Sequence, residues 1–319
     1  MTSLSPYPDS GQHTMGIDIG GTKTQAVVLD RNGGVVASAS LPTRQGAESV
    51  IETTHTVYDM VSKSTGPVTS IGVGVPGVVD ASGRVQHAVN VGLVDVDLAR
   101  ALTYRLGTKT VVSNDVSMAA LGAAHHRDDA KSLALLNLGT GLAVGLVIGG
   151  ELYKGETSVA GEIGHLPVDE TGPRCKCGQR GCLELYVSGS AIARMWPTTH
   201  GHPAADLFCK ASAGEPAALE IQERFISRLA WTVQQIVVAF DVAEVVIAGG
   251  LSSLGRGLTE PLLDCLRIKA RESPFVESLE LERRVQLLPA DYPAAAIGAA
   301  LHGAGLAGGM TRDAIPSSA

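Results

Sequence analysis

Apolar and polar positions change their period several times along the chain, and each change marks an element. Residues 15–30, 35–41 and 68–79 are rich in alternating or continuous β-formers, which predicts three β-rich stretches. Between the last two, residues 47–62 repeat apolar side chains at helical spacing. Residues 98–106 and 116–125 read the same way, separated by a short strand at 110–113. A second β-rich block covers 133–153, and 154–181 has few periodic apolar positions and reads as a loop. Helices are then predicted over 188–196, 204–213 and 216 to about 240. A buried strand at 245–248, a helix at 261–273, a strand at 285–288 and a small-residue helix at 294–304 complete the series. Segments 1–14 and 307–319 read as flexible tails.

Two of these stretches share a design. MGIDIGGTKTQAVVL (15–29) and LLNLGTGLAVGLVI (135–148) are each an apolar strand, a polar Gly/Thr turn and a second apolar strand. One such hairpin per half suggests a duplicated α/β architecture.

Composition narrows the class. The chain has 319 residues, 45% hydrophobic and 18% charged, so it can bury sizeable cores. Its 38 glycines follow no three-residue period, which excludes a collagen-like chain. Lys+Arg 25 against Asp+Glu 32 leaves a formal charge of −7. With no long basic cluster, neither nucleic acid nor an anionic membrane surface is an expected partner. The first fourteen residues carry neither a basic nor an apolar signal segment. Residues 132–150 are uncharged and nearly membrane-length, but Asn137, Thr140 and five glycines interrupt them. A soluble, cytoplasmic protein is expected.

The glycine turns carry candidate chemistry. In Asp18-Ile-Gly20-Gly21-Thr22-Lys23, the glycines can expose backbone N–H groups to a phosphate while Thr22 and Lys23 add donors. Asp18 could hold a magnesium-bound water near the β- and γ-phosphates. Gly139-Thr140-Gly141 offers the same chemistry from the second hairpin. Gly249-Gly250 ends a buried strand before a serine able to cap a helix, which suits an adenine nucleotide. Each turn alone is an ordinary tight turn; three in one chain favour nucleotide binding. Gly72–Gly77 also matches G-x-G-x-x-G, but residues 78–85 read as strand and turn instead of helix, so no dinucleotide site is expected.

Five cysteines are unevenly placed, and their odd number speaks against a disulfide framework. Cys175, Cys177 and Cys182 fall within eight residues, and His165 precedes them. Three thiolates and one imidazole make a complete tetrahedral set for structural zinc, with no position left to activate water. Glu162 and Glu184 flank this knuckle; they are either surface charges on it or carboxylates held as acceptors for sugar hydroxyls. Asn114-Asp115 ends an apolar strand just before a helix. Either residue could simply cap that helix. The functional alternative makes Asp115 the base that takes a hydroxyl proton during phosphoryl transfer, with Asn114 orienting the acceptor and Asn90 adding a sugar contact.

Taken together, the motifs resemble the ROK family of repressors and sugar kinases. The matching pieces are Asp18-Ile-Gly-Gly-Thr-Lys, Gly74-Val-Pro-Gly77, Asn114-Asp115, Gly139-Thr-Gly141, Ala160-Gly-Glu-Ile-Gly-His165, Cys175-x-Cys-Gly-x-x-Gly-Cys-Leu-Glu184 and Ile247-Ala-Gly-Gly250, in the family's order. The resemblance implies an α/β, actin/hexokinase-like (ribonuclease H-like) fold of two domains with an interdomain ATP cleft. The expected division is 15–127 with about 293–306 as the N-terminal domain and 128–292 as the C-terminal domain. It further implies Asp115 as the catalytic base and Gly77, Asn90, Asn114, Glu162, His165 and Glu184 at the sugar. A homodimer or homotetramer is expected. Some positions depart from the family pattern: no aromatic residue follows Asn90, and Ser117 and Ala123 stand where Asn and Glu are usual. The reading is a kinase using ATP and Mg²⁺ on the 6-hydroxyl of a hexose, glucose first. An amino-sugar such as kanosamine, N-acetylglucosamine or N-acetylmannosamine is the alternative substrate. A sugar sensor or transcriptional regulator ranks last, because the fourteen residues before Met15 do not read as a DNA-binding module.

Overall fold

Alternating and continuous apolar runs become strands wherever a neighbour can complete their backbone hydrogen bonds. The computed structural model describes residues 13–128, 130–199 and 201–307. The first strand, β1 (His13–Ile19), begins two residues ahead of the apolar run, so residues 13 and 14 are not part of a tail. Pairing is a backbone property: Thr14 aligns with Leu29 on one side and Ser70 on the other. Residue 307, also expected in a tail, is instead the last residue of a helix; 1–12 and 308–319 lie outside the described residues.

The chain divides into two compact units, the described parts of Met1–Gly122 with Pro293–Ala319, and Ala123–Tyr292. In the first, β1 is followed by β2 (Lys23–Leu29), β3 (Val35–Pro42), α1 (Ala47–Thr65) and β4 (Val68–Val75). Then come β5 (Val78–Val79), β6 (Arg84–Ala88), β7 (Leu93–Asp97), α2 (Leu98–Leu106), β8 (Thr110–Asn114) and α3 (Asp115–His126). The main sheet has the order β3-β2-β1-β4-β8, and β5-β6-β7 form a small antiparallel one. β1, β4 and β8 are parallel, so Asp18, Val75 and Asn114 all lie at carboxyl ends of strands. Ligands of open α/β sheets bind at that edge.

The second unit repeats the plan. β9 (Ser132–Leu138), β10 (Leu142–Ile148) and β11 (Glu151–Tyr153) precede α4 (Gly189–Met195), α5 (Pro203–Ser212) and α6 (Pro216–Phe240). β12 (Glu244–Ala248), α7 (Arg256–Glu272), α8 (Pro274–Ser278), α9 (Leu281–Arg284) and β13 (Val285–Leu287) come next. The sheet order is β11-β10-β9-β12-β13. Both predicted hairpins are present and antiparallel, in equivalent places of two five-stranded sheets. α10 (Ala294–Ala307) belongs to the first unit and packs on β1 and β4. A side chain on Gly16 or Gly72 would overlap the carbonyl oxygens of Ala296 or Ala299, which explains both the strand glycines and the small helix residues.

One predicted helix boundary is displaced. α7 starts at Arg256, so Pro261 lies inside it instead of opening it. Proline cannot donate to the carbonyl four residues back, but here that residue, Gly257, is exposed to solvent. Buried Leu258, Leu262 and Leu266 keep one apolar stripe running across the proline. Among the described residues no helix is long and apolar enough to cross a membrane.

Candidate active site

In the first unit the candidate residues gather at the carboxyl edge of the sheet. β1 delivers Asp18, and the turn closes when Gly20 N–H donates to the Lys23 carbonyl (2.9 Å). Gly21, Thr22 and Lys23 are exposed. Asn90, exposed on the short 3-10 turn Val89–Val91, lies against this turn: a side chain on Gly21 would sit 3.6 Å from the Asn90 Cβ. β8 delivers Asn114 and Asp115, and the Asp115 backbone packs over Gly74 of β4.

Asn114 has a double structural task. Its Oδ1 accepts from Ser117 N–H (3.0 Å), capping α3, and its Nδ2 donates to the Gly77 carbonyl (3.0 Å). Gly77 takes φ +92°, and a side chain there would strike the His87 carbonyl. Asp115 Oδ1 accepts from the N–H of Val116 (2.9 Å). Burial, then the negative charge of Asp115, push Asp18 up to about 7, while Lys23 opposes the rise. Two carboxylates therefore interact beside a turn of exposed residues. A divalent cation suits such a pair, because it removes the repulsion that raises the Asp18 pKa.

In the second unit, glycines hold the sugar and metal candidates against β10. Gly161 adopts φ +94° and its carbonyl accepts from Val144 N–H (2.8 Å). Gly164 presses on the Leu142 carbonyl. Glu162 and His165 are thereby carried on a short turn anchored at both glycines. The cysteine loop folds back on itself, with Gly178 N–H donating to Cys175 O (3.0 Å) and Cys175 N–H to Gln179 O (2.8 Å).

The four metal candidates converge. Ligand atoms of His165, Cys175, Cys177 and Cys182 all lie within 4.8 Å of one another. Cys177 and Cys182 sulfurs are 3.5 Å apart, and His165 Nδ1 is 3.8 Å from the Cys175 sulfur. Sulfurs at about 2.3 Å from a tetrahedral zinc are separated by about 3.8 Å, so these two spacings match such an ion and the sulfurs are too far apart for a disulfide. Hydrogen bonds from Gln179 pull the exposed Cys177 thiol down to about 6, which favours the thiolate that a metal requires. Burial pushes Cys175 up to about 12; an ion among these sulfurs would reverse that shift.

Glu184 links the knuckle to the nucleotide turn. Its Oε1 accepts from the Cys175 thiol (3.2 Å) and lies 3.7 Å from His165 Nδ1. Its Oε2 occupies space that a side chain at Gly141 would enter, at 3.0 Å. Protein packed around the Glu162 carboxyl raises its pKa; His165 opposes the shift, and the negative charge of Glu184 adds to it.

Gly139, Thr140 and Gly250 line a cavity of about 410 Å³ at the carboxyl ends of β9 and β12. Gly189, Ser190, His202 and Pro203 share its lining and carry no motif in the sequence. The only local signal for them is the helix starts: Gly189 opens α4, and His202-Pro203 opens α5. Gly249 itself takes φ +83° beside Asn137, where a side chain would lie 2.6 Å from Asn137 Oδ1. The serines after it cap no long helix. A 3-10 turn, Gly250–Leu254, intervenes, and Ser253 Oγ donates to the Gly250 carbonyl inside it (2.7 Å).

The chain is similar to known proteins over most of its length. The model of the ROK family matches residues 14–301. A glucokinase of Halalkalibacterium halodurans is 32% identical over 275 residues, 78% of this chain and 83% of that protein. An N-acetyl-D-glucosamine kinase of Yersinia pseudotuberculosis is 32% identical over 255 residues, 75% and 84% respectively. The crystal structure of a ROK family glucokinase from Streptomyces griseus, in complex with glucose and AMPPNP, superposes with a TM-score of 0.76 at 27% identity. It covers 91% of this chain and 99% of its own. The fold is thus the actin/hexokinase-like one.

Proposed function

This chain belongs to the ROK family, and from that premise we propose that it is an ATP- and Mg²⁺-dependent sugar kinase acting on the 6-hydroxyl of a hexose, glucose before others. The observation that carries the reading is that β1 and β8 bring Asp18 and Asp115, remote in sequence, to the carboxyl edge of one sheet beside the Gly20–Lys23 turn, where the charge of Asp115 acts on Asp18. A base for the sugar hydroxyl and a cradle for phosphate are the two parts phosphoryl transfer needs.

As the hydroxyl oxygen attacks the γ-phosphorus, the bond from that phosphorus to the β–γ bridging oxygen breaks and ADP leaves; Asp115 accepts the hydroxyl proton, and Asn114 holds its position through the cap and the Gly77 carbonyl. Asn90, Glu162, His165 and Glu184 accept or donate to the remaining hydroxyls. Gly20, Gly21, Thr22 and Lys23, with Gly139, Thr140 and Gly141, donate to phosphate oxygens, and Gly249-Gly250 with the 410 Å³ cavity takes the nucleoside. Asp18 would hold Mg²⁺, which would supply charge neutralisation on the β- and γ-phosphates. His165, Cys175, Cys177 and Cys182 would hold a structural zinc, fixing His165 and, through Cys182, Glu184. The same reading takes 15–127 with about 293–306 and 128–292 as the two domains, a cytoplasmic location, and a dimer or tetramer.

An amino-sugar substrate is the second reading, supported by the N-acetylglucosamine kinase relatives at the same identity as the glucokinase and by the missing aromatic residue after Asn90. ADP release with MgATP over a panel of hexoses and amino-sugars decides between them. Glucose is expected to show the highest kcat/KM; an amino-sugar ahead transfers specificity to the Asn90 loop, and no turnover on any sugar defeats both.

A further inference from the structure

A second cavity, about 720 Å³, opens in the second unit away from the candidate active-site residues. Arg194, Arg224, Arg228 and Lys269 share its lining with the rings of Tyr186 and Trp231. This is a dense group of cations for a chain of net charge −7. One carboxylate, Glu223, also lines it. Arg194 is engaged by the Leu185 carbonyl and Arg224 lies 3.8 Å from Glu220. Arg228 differs. Its guanidinium stands 5.7 Å from the Tyr186 ring centre and 5.7 Å from that of Trp231. Among the described residues neither Arg228 nor Lys269 has a carboxylate within ion-pairing distance.

We infer that this cavity binds a sugar phosphate. A half-buried guanidinium lying over two aromatic rings offers its N–H fork to a phosphate dianion. Lys269 adds a second charge. Aromatic walls suit the C–H faces of a pyranose, and the volume exceeds what inorganic phosphate would fill. The site is also wired to the knuckle. Tyr186 O–H donates to Asp169 Oδ2 (2.8 Å), and the Asp169 carbonyl accepts from Gly172 N–H (3.0 Å) in the loop that packs against Gly181, next to Cys182. A ligand on Arg228 and Tyr186 therefore bears on the segment that carries Glu184. Resting on the proposed kinase activity, the consequence is that a product-class ligand raises the sugar KM from outside the sugar site.

The binding test uses calorimetry on the zinc-loaded full chain, with glucose 6-phosphate, AMP, inorganic phosphate and glucose as probes. Glucose 6-phosphate should bind at least tenfold more tightly than inorganic phosphate or AMP. Arg228→Gln should weaken it tenfold or more while leaving turnover without it unchanged, and Glu162→Gln should leave this binding in place. Equal binding to Arg228→Gln and the parent chain overturns the proposal. So does loss of binding in Glu162→Gln alone, AMP or inorganic phosphate binding as tightly, or a change of sedimentation in Arg228→Gln, which makes the cavity an interface between copies. Tyr186→Phe keeps the ring wall but removes the bond to Asp169. It should bind glucose 6-phosphate yet lose the rise in sugar KM; an unchanged rise overturns the coupling. Binding is read without turnover, so failure of the kinase assay and failure of this site are separate results.

Discussion

The β1–β2 and β9–β10 hairpins occupy the same place in sheets of matching strand order, and β1 and β9 share one burial pattern, residue for residue. Their sixth residues differ in charge: Asp18 in one, Asn137 in the other. Asp18 faces Asp115 and Lys23, and its pKa is driven up to about 7. Asn137 is uncharged and packs beside Gly249, and the carboxylate near the second turn is Glu184, which comes from the knuckle segment and would lie 3.0 Å from a side chain on Gly141. A duplicated scaffold therefore supplies two glycine turns, and only the first has a carboxylate on its own leading strand. The second unit places its ionisable groups instead on the knuckle, where four ligands crowd within 4.8 Å.

The strongest way to break this contrast is Asp115→Ala. We expect kcat to fall by about 10²–10⁴ with sugar affinity nearly unchanged, measured by ADP release and by sugar titration. A retained kcat would remove the base from the first unit. Cys182→Ser attacks the other unit: zinc content should drop below stoichiometric and the thermal midpoint should fall by roughly 5–10 °C. Full zinc occupancy in that variant would show that the ligand set is misassigned.

Gly77→Ala and Gly161→Ala form a matched pair, one per unit. Each glycine has φ above +90° and a carbonyl where the new methyl would go. Both should destabilise by about 2–4 kcal/mol in denaturant titrations. A cost confined to one of them would mean that its loop can shift.

Asp18→Asn makes the first turn resemble the second, and its effect on stability depends on pH. The folded-state pKa is raised from 3.8 to about 7, so the native state holds its proton more tightly than the unfolded chain does. Stability from this group is full below pH 4 and is lost as pH rises through 7. Thermal melts should therefore show parent and variant alike at pH 4, with the variant gaining steadily up to pH 8. Parallel curves would deny that Asp18 is protonated in that window. The smallest effect is expected at Ser253→Ala, within about 0.5 kcal/mol, because that hydroxyl serves only an exposed local turn.

Much of this was legible in the chain because it rests on short-range rules. The two hairpins arise from apolar alternation around Gly/Thr turns, and the zinc ligands from thiols spaced two and five apart with glycines between. The start of α7 was misplaced because proline marks helix starts locally, whereas three buried leucines held the helix together across it. His202 and Ser190 carried no motif; they reached the cavity only when α4 and α5 packed near the Gly139 turn. Asn114 and Gly77 are likewise bonded across a distance that no spacing rule covers.

Local patterning, turn chemistry and metal-ligand spacing are properties of neighbouring residues, so the amino-acid sequence alone dictated the hairpins, the knuckle and the glycine turns. The effect of Asp115 on Asp18, the approach of Arg228 to two rings and the cavity lined by two helix starts arise from residues remote in the chain. Desolvation and Coulomb terms depend on distances through space, and only the folded protein sets those.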